Sequence, residues 1–290
     1  MWQLTLETRH RYRAEIESMI LREPVLVGCG SSYFLARAIE EAFLEAGLSA
    51  SPRVASEYRP DPKHPAVFFS RSGETSELLW ALEAAQAAGV PTLAVTTEPG
   101  STLARAASRV ILLEHAAERS VVETRSFTST LLLWRAILDD ETGADHGLFA
   151  LPGALRQAFA GEHPPGAGKH HFVFLGRGME LALAREASLK VLETCQLWSE
   201  AWSTFEYRHG PRSAADQDTL VAFLDRGGEG LQALESEIRA LGATTWRPEL
   251  DPLVRLALLH RMAYERALEA GKDPDAPQGL TRVVRLEGEG

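Results

Sequence analysis

Cysteine and lysine are the scarce residues of this 290-residue chain: two cysteines, Cys29 and Cys195, and four lysines, Lys63, Lys169, Lys190 and Lys272, among 30 basic residues. Two thiols, each inside an apolar element, make no disulfide framework and read as buried small hydrophobes. No apolar run approaches the roughly 20 residues of a membrane span. The start, Met1-Trp-Gln-Leu-Thr-Leu-Glu7, carries no basic-then-apolar leader, so a cytoplasmic protein with no membrane partner is expected. Positive charge is also in deficit: 40 acidic residues leave a net charge of −10, which argues against nucleic acid or an anionic surface as partner. An anionic ligand must then be held by local groups, and a lysine at a chemically crowded position gains interest. No His/Asp/Glu spacing resembles a metal site, so no metal is expected.

What is present is an ordinary α/β pattern, 45% hydrophobic and 24% charged, long enough for two domains. Strand-like runs at Val25–Val27, Ala66–Phe69, Thr92–Val95 and Val110–Leu113 alternate with helical stretches at 33–46, 76–88, 102–107 and 126–138. Such alternation predicts a parallel sheet with right-handed crossovers and helices on both faces. Then the pattern restarts. Phe172-Val-Phe-Leu175 with Gly176-Arg-Gly178 repeats Val25-Leu-Val27 with Gly28-Cys-Gly30, and Thr219–Leu224 with Asp225-Arg-Gly-Gly-Glu229 echoes Ala66–Phe69 with Ser70-Arg-Ser-Gly-Glu74. A Gly/Pro-rich stretch, 139–169, separates the copies around a helical piece at 154–160. The expectation is a helical leader over 1–23, one doubly wound parallel-sheet domain over 24–160 and a second over 161–290, each a three-layer αβα unit.

Ser70-Arg71-Ser72-Gly73-Glu74-Thr75 is the most informative motif. It places three hydroxyls at a strand-to-helix turn, where unpaired N–H groups and the helix dipole favour an anion and Gly73 admits close approach. One hydroxyl suffices for capping; three in six residues predict a phosphate cradle. The second copy has Asp225, Gly227 and Gly230 where the first has Ser70, Ser72 and Thr75, so only the first should hold the anion. Gly28-Cys-Gly-Ser-Ser-Tyr33 is a second glycine-rich turn whose Ser31 and Ser32 can reach the same ligand. As a dinucleotide fingerprint it fails at Tyr33, and no cofactor is expected. Glu186, Lys190 and Glu193 at i, i+4 and i+7 share one helical face, a pattern common on surfaces, yet flanked here by apolar Ala187, Leu189, Val191 and Leu192. A carboxylate beside an ammonium in a cleft is suited to moving protons. His209, just before Gly210-Pro211, belongs on a loop after a helical or irregular stretch containing Trp198, Trp202 and Phe205.

Together, Cys29-Gly-Ser-Ser-Tyr33, Ser70-Arg-Ser-Gly-Glu-Thr75, Leu183-Ala-Arg-Glu-Ala-Ser-Leu-Lys190 and Glu206-Tyr-Arg-His-Gly-Pro211 resemble the sugar isomerase (SIS) family, in particular the isomerase half of glucosamine-6-phosphate synthase and stand-alone phosphosugar isomerases and deaminases. The resemblance implies two tandem SIS domains binding a hexose 6-phosphate. Ser31, Ser32, Ser70, Ser72 and Thr75 would hold the phosphate, Glu193 would carry the proton between C1 and C2, and Lys190 and Glu186 would assist at the sugar oxygens. His209 would promote ring opening in the site of a neighbouring subunit, which implies a homodimer. Gly30 and Thr124 are further contact candidates. Arg71 and Arg125 replace the family's frequent Gln and Lys and could add charge at the phosphate.

Two departures bear on the reaction. Trp2 stands where the synthase's glutaminase has its nucleophilic cysteine, so glutamine is not expected to supply ammonia within this chain. Arg282 stands where the synthase has an imine-forming lysine, and a guanidinium stays protonated, which argues against amination. The expected function is a metal-free phosphosugar isomerase on a hexose or hexosamine 6-phosphate, with or without deamination. An ammonia-fed fructose-6-phosphate aminotransferase and a non-enzymatic sugar-phosphate sensor are the alternatives.

Overall fold

In the computed structural model, which describes residues 1–286, the apolar runs become two all-parallel sheets in two compact units. The first unit comprises Met1–Phe149 and the C-terminal residues from Thr281; the second is Ala150–Leu280. The tail, expected with the second domain, therefore belongs with the first.

The first unit contains α1 (Trp2–Thr8), α2 (Arg13–Ile20), β1 (Val25–Gly28), α3 (Ser31–Glu45), β2 (Ser51–Val54), β3 (Ala66–Phe69), α4 (Ser76–Ala87), β4 (Thr92–Thr96), α5 (Thr102–Ala106), β5 (Arg109–Leu112) and α6 (Arg125–Thr142). Its sheet has the order β2-β1-β3-β4-β5. Successive strand side chains point to opposite faces. Val27, Phe68 and Ala94 pack with Leu78, Leu82 and Ala85 of α4, while Phe69 meets Trp134 of α6 at 5.9 Å between ring centroids, and Phe43 of α3 packs on that indole at 6.0 Å. Burial on both faces is why the strands read as unbroken apolar runs. The helical leader is part of this packing: Trp2 is buried and its Nε1 donates to Thr128 Oγ1 at 3.1 Å.

The second unit contains α7 (Leu151–Gly161), β6 (His171–Gly176), α8 (Met179–Cys195), β7 (Trp198–Ser203), β8 (Thr219–Phe223), α9 (Leu231–Ala240), β9 (Thr244–Trp246) and α10 (Pro252–Glu269). Its order, β7-β6-β8-β9, matches β2-β1-β3-β4 element for element. Val173, Leu175, Val221 and Phe223 pack with Leu231, Leu234 and Ile238 of α9 on one face, and α8 with α10 covers the other. The likeness extends to backbone detail. Gly30 and Gly178 have φ of +52° and +55°. A Cβ on Gly28 would lie 2.5 Å from the Ser32 carbonyl group, and one on Gly176 would lie 2.3 Å from the Glu180 oxygen, so both helices start closer to their strands than any side chain permits.

Residues 198–203, expected as helical or irregular, are an edge strand. β2, β9 and α10 were not anticipated either.

Candidate functional site

β3 ends at Phe69 and delivers the six-residue turn to the N-terminus of α4. Ser70 Oγ accepts from the Gly73 N–H at 2.9 Å and Ser72 Oγ from the Glu74 N–H at 3.3 Å. A hydroxyl that accepts in this way keeps its own proton to donate, as a phosphate oxygen requires. Thr75 occupies the N-cap of α4 in extended backbone without a side-chain capping bond, so its hydroxyl is not used as a cap. Ser32, Ser70, Ser72 and Thr75 line one cavity, together with Glu123 and Arg282. Gly73 (φ +64°) serves packing there: an added Cβ would lie 2.3 Å from Ser101 Oγ. Ser101 caps α5 through the Ala104 N–H, and Glu74 accepts from the Thr102 N–H at 2.6 Å and hydroxyl at 3.1 Å. The cradle is thereby braced against α5.

The remaining candidates of this unit are placed differently. Arg71 is buried, and its guanidinium donates to the Ser120, Val121 and Arg282 carbonyls at 2.8, 2.7 and 3.5 Å, with Nε 3.8 Å from Glu123. It fastens loops around the cradle rather than extending its fork among the hydroxyls. Thr124 gives its hydroxyl and N–H to Glu118 at 2.8 and 3.1 Å, and the same carboxylate accepts the Arg125 and Ser126 N–H groups, which makes Glu118 the anionic cap of α6. Arg125 is exposed and donates to the Ala117 carbonyl. Arg282 pairs with Glu98 and donates to the Glu118 carbonyl while lining the cavity. Gly30 is the N-cap of α3, and Ser31 is buried in that helix's first turn, outside the cavity lining. Cys29, expected as a buried hydrophobe, is only partly buried and lines the cavity; burial, with Glu77 adding, pushes its thiol up to about 11.

The matching turn of the second unit is closed by its own ion pair. Asp225, where the first copy has Ser70, accepts from Arg177 Nε at 2.6 Å, Arg177 Nη2 at 3.0 Å, Thr204 Oγ1 at 2.8 Å and the Gly227 N–H at 3.1 Å. A carboxylate fills the anion's place. Burial acts to raise its pKa, and these donors outweigh burial and hold it below the usual carboxyl value.

On α8 of that unit, Lys190 Nζ lies 2.6 Å from Glu193 Oε2 and 3.3 Å from Glu186 Oε1. Glu186 and Lys190 are enclosed at 0% and 1% side-chain exposure, and Glu193 at 21% is the member that meets solvent. α8 and α10 are fixed in register by Thr194 Oγ1 and Cys195 Sγ, which both donate to the Ala263 carbonyl at 3.4 and 3.1 Å. One turn earlier on α10 stands His260, whose Nε2 is buried without a hydrogen-bond partner among the described residues. Burial, then Lys190, lowers its pKa to about 3, so the ring is neutral. Sequence reading missed His260, Glu118 and Glu123. A single histidine or glutamate carries no spacing signal. His209 ends a one-turn helix, Glu206–His209, and is exposed. Among the described residues no group of three or more His, Cys, Asp or Glu is gathered to hold a metal ion, and no helix is long and apolar enough to cross a membrane.

Residues 23–138 match the SIS domain family, a span that contains the whole first sheet. The chain is 29% identical over 90% of its length to the isomerizing glutamine–fructose-6-phosphate aminotransferase of Shewanella oneidensis and 30% identical to that of Xylella fastidiosa; in each case it spans 51% of the relative, about half its length. Among solved structures it resembles Thermotoga maritima glucosamine-6-phosphate deaminase, with a TM-score of 0.86 and 28% identity over 97% of this chain and 96% of that one. The Escherichia coli tagatose-6-phosphate ketose/aldose isomerase shares the fold, with a TM-score of 0.81 and 21% identity over 99% and 93%.

Proposed function

We propose that this protein is a phosphosugar isomerase that interconverts the aldose and ketose forms of a hexose or hexosamine 6-phosphate, releasing ammonia where the substrate is an amino sugar, and that both its sheets are SIS domains. The observation that carries this reading is the cavity in which Ser32, Ser70, Ser72 and Thr75 present four hydroxyls beside the N-terminus of α4. Hydroxyl donors and a helix dipole bind a phosphate without the basic surface that this acidic chain lacks. The chemistry is assigned to α8. Moving a hydrogen between C1 and C2 through an enediol needs one base that reaches both carbons, and Glu193, the solvent-reaching carboxylate, fills that role. Lys190, 2.6 Å away, donates to the developing oxyanion, and Glu186 fixes the ammonium. His209 opens the pyranose ring, delivered from the partner subunit of a homodimer.

The test is to incubate the protein with glucosamine 6-phosphate, fructose 6-phosphate and tagatose 6-phosphate in deuterated water and follow C2 proton exchange by NMR. Exchange with one of them, lost in Glu193→Gln while binding persists, supports the reading; binding of all three with no exchange would favour a sensor. The aminotransferase relatives favour a second reading, ammonia-dependent amination of fructose 6-phosphate. Labelled ammonium appearing at C2 of the product would establish it, and Arg282, with no nucleophilic amine, predicts that it does not.

A further inference from the structure

α8 and α10 run side by side in one direction. α8 leaves the end of β6, and Arg255, in the first turn of α10, donates to the Phe223 carbonyl at the end of the neighbouring parallel strand β8. Thr194 and Cys195 on α8 meet Ala263 on α10, so Lys190 and His260, each one turn earlier, stand level with each other. Both belong to the seam. Leu183, Ala187, Lys190 and Thr194 form one buried face of α8, and His260 shares a face of α10 with buried Leu256, Ala263 and Ala267. His260 keeps some surface, but its Nε2 is buried and has no hydrogen-bond partner among the described residues. Burial, then the charge of Lys190, keeps the ring neutral. A buried polar atom without a partner costs stability, and a leucine would fill the seam without that cost.

We infer that His260 is a positioning residue for Lys190, whose ammonium it receives on Nε2 at the stage when Glu193 carries the substrate's proton. This deepens the isomerase reading above and rests on it. In the aldose-to-ketose direction the C2–H bond breaks, the proton goes to Glu193, and the electron pair moves through the new C1–C2 double bond onto the carbonyl oxygen. Once protonated, Glu193 no longer brings a charge to the ammonium 2.6 Å away. Glu186, 3.3 Å from Nζ, then draws the ammonium back along α8, away from Glu193 and the forming oxyanion. An acceptor on the facing helix opposes that drift. With the ring's proton on Nδ1, the Nε2 lone pair is open to an N–H. A neutral acceptor suits the task, because its pull stays constant while the proton travels.

The test pairs His260→Leu, which has no acceptor, with His260→Gln, whose amide oxygen has a similar reach. Hydrogen exchange at C1 or C2 in deuterated water is followed with glucosamine 6-phosphate, fructose 6-phosphate and tagatose 6-phosphate, beside Tm for each protein. His260→Leu should turn over roughly 10- to 100-fold more slowly with KM unchanged and Tm equal to or above wild type, and His260→Gln should recover most of the rate. A merely structural histidine gives the opposite pair, a lower Tm and an unaltered kcat. A second readout needs no turnover. In nitrogen NMR of the full chain with isotope-labelled histidines, Nε2 should resonate as an unprotonated nitrogen accepting a hydrogen bond and move downfield in Lys190→Met. A proton found on Nε2, an unslowed leucine variant, or a rate loss that glutamine shares would overturn the inference and leave the isomerase reading standing. Wild type that exchanges with none of the three sugars would overturn both. Where the leucine variant does not fold, the nitrogen resonance decides by itself.

Discussion

At the scale of single residues, Glu193 and Lys190 form the most consequential pair, because the ammonium lies 2.6 Å from a carboxylate that still reaches solvent. Glu193→Gln keeps the shape and removes the base, so proton exchange at C2 should fall by roughly 10²- to 10⁴-fold with little change in sugar-phosphate affinity. The cradle hydroxyls separate in the opposite sense. Ser72→Ala or Thr75→Ala removes a donor to a charged group, worth about 1.5–3 kcal/mol, so Kd for the substrate should rise roughly 10- to 100-fold with kcat nearly unchanged. Steady-state kinetics on purified variants reads both, and a cradle variant that lowered kcat alone would remove that hydroxyl from binding. Cys29 offers a check that needs no mutation. With its thiol pushed up to about 11, only roughly one molecule in a thousand is ionised at pH 8. Labelling by a disulfide reagent should therefore be slow, speed up with pH, and be blocked by ligand in the cavity that Cys29 lines.

At the scale of elements, two turns that start from one pattern are stabilised in different ways. In the β3–α4 turn the space above Gly73 is taken by Ser101, so Gly73→Ala should cost at least about 1 kcal/mol, and Ser101→Gly in the same chain should restore part of it, as seen in the urea midpoints of a double-mutant cycle. In the β8–α9 turn, Asp225 folds with a pKa below its unfolded value. Its contribution is thus fully present above the ordinary carboxyl value of 3.8 and is lost as pH falls through the lower folded value. Asp225→Asn should lower stability by about 2 kcal/mol at neutral pH and make the acid limb of the Tm profile shallower; an unchanged limb would mean the carboxyl is not ionised in the folded chain. How far these elements were legible depended on burial. β1, β3, β4, β6 and β8 are buried on both faces and stand out as apolar runs, and the glycine-rich turns after them carry their own chemistry. Of the edge strands, β5 reads as an apolar run, but β2, β7 and β9 do not. β2 holds Pro52 and Arg53, and β7 begins at Trp198, 70% exposed, because one side of an edge needs neither apolar cover nor a full ladder. α10 hides behind buried Arg255, whose Nη1 donates to the Phe223 and Asp225 carbonyls at 3.0 and 2.9 Å, a use of charge that no hydrophobic pattern reveals. The cradle hydroxyls were legible as a cluster. The turning away of Arg71 was not, since the carbonyls it binds lie about 50 residues along the chain.

At the scale of the whole molecule, the same strand order appears twice, and the two copies have separated in what their β3–α4 and β8–α9 turns hold: open hydroxyls in one, an Asp225–Arg177 pair in the other. The second copy instead carries the Glu186–Lys190–Glu193 cluster on α8. His209 stands exposed on its own unit, at the end of a turn held by buried Tyr207 and by Arg208, which pairs with Glu237 and lies over the Phe205 ring. The proposal that this imidazole serves a partner's site makes a sharp expectation for mixtures. In a dimer formed from one Glu193→Gln and one His209→Asn subunit, the site built on the intact Glu193 receives the intact His209 of the other chain, while its twin has neither. Unfolding and refolding the two inactive variants together at equal concentration gives heterodimers as half of the population, and one live site in each, so about a quarter of wild-type turnover of the cyclic substrate should return. Supplying the open-chain form should bypass His209 and leave the His209→Asn protein active by itself. If co-refolded variants form dimers by analytical ultracentrifugation and recover nothing, His209 acts within its own chain or not at all, and the exchange of this loop between subunits is wrong.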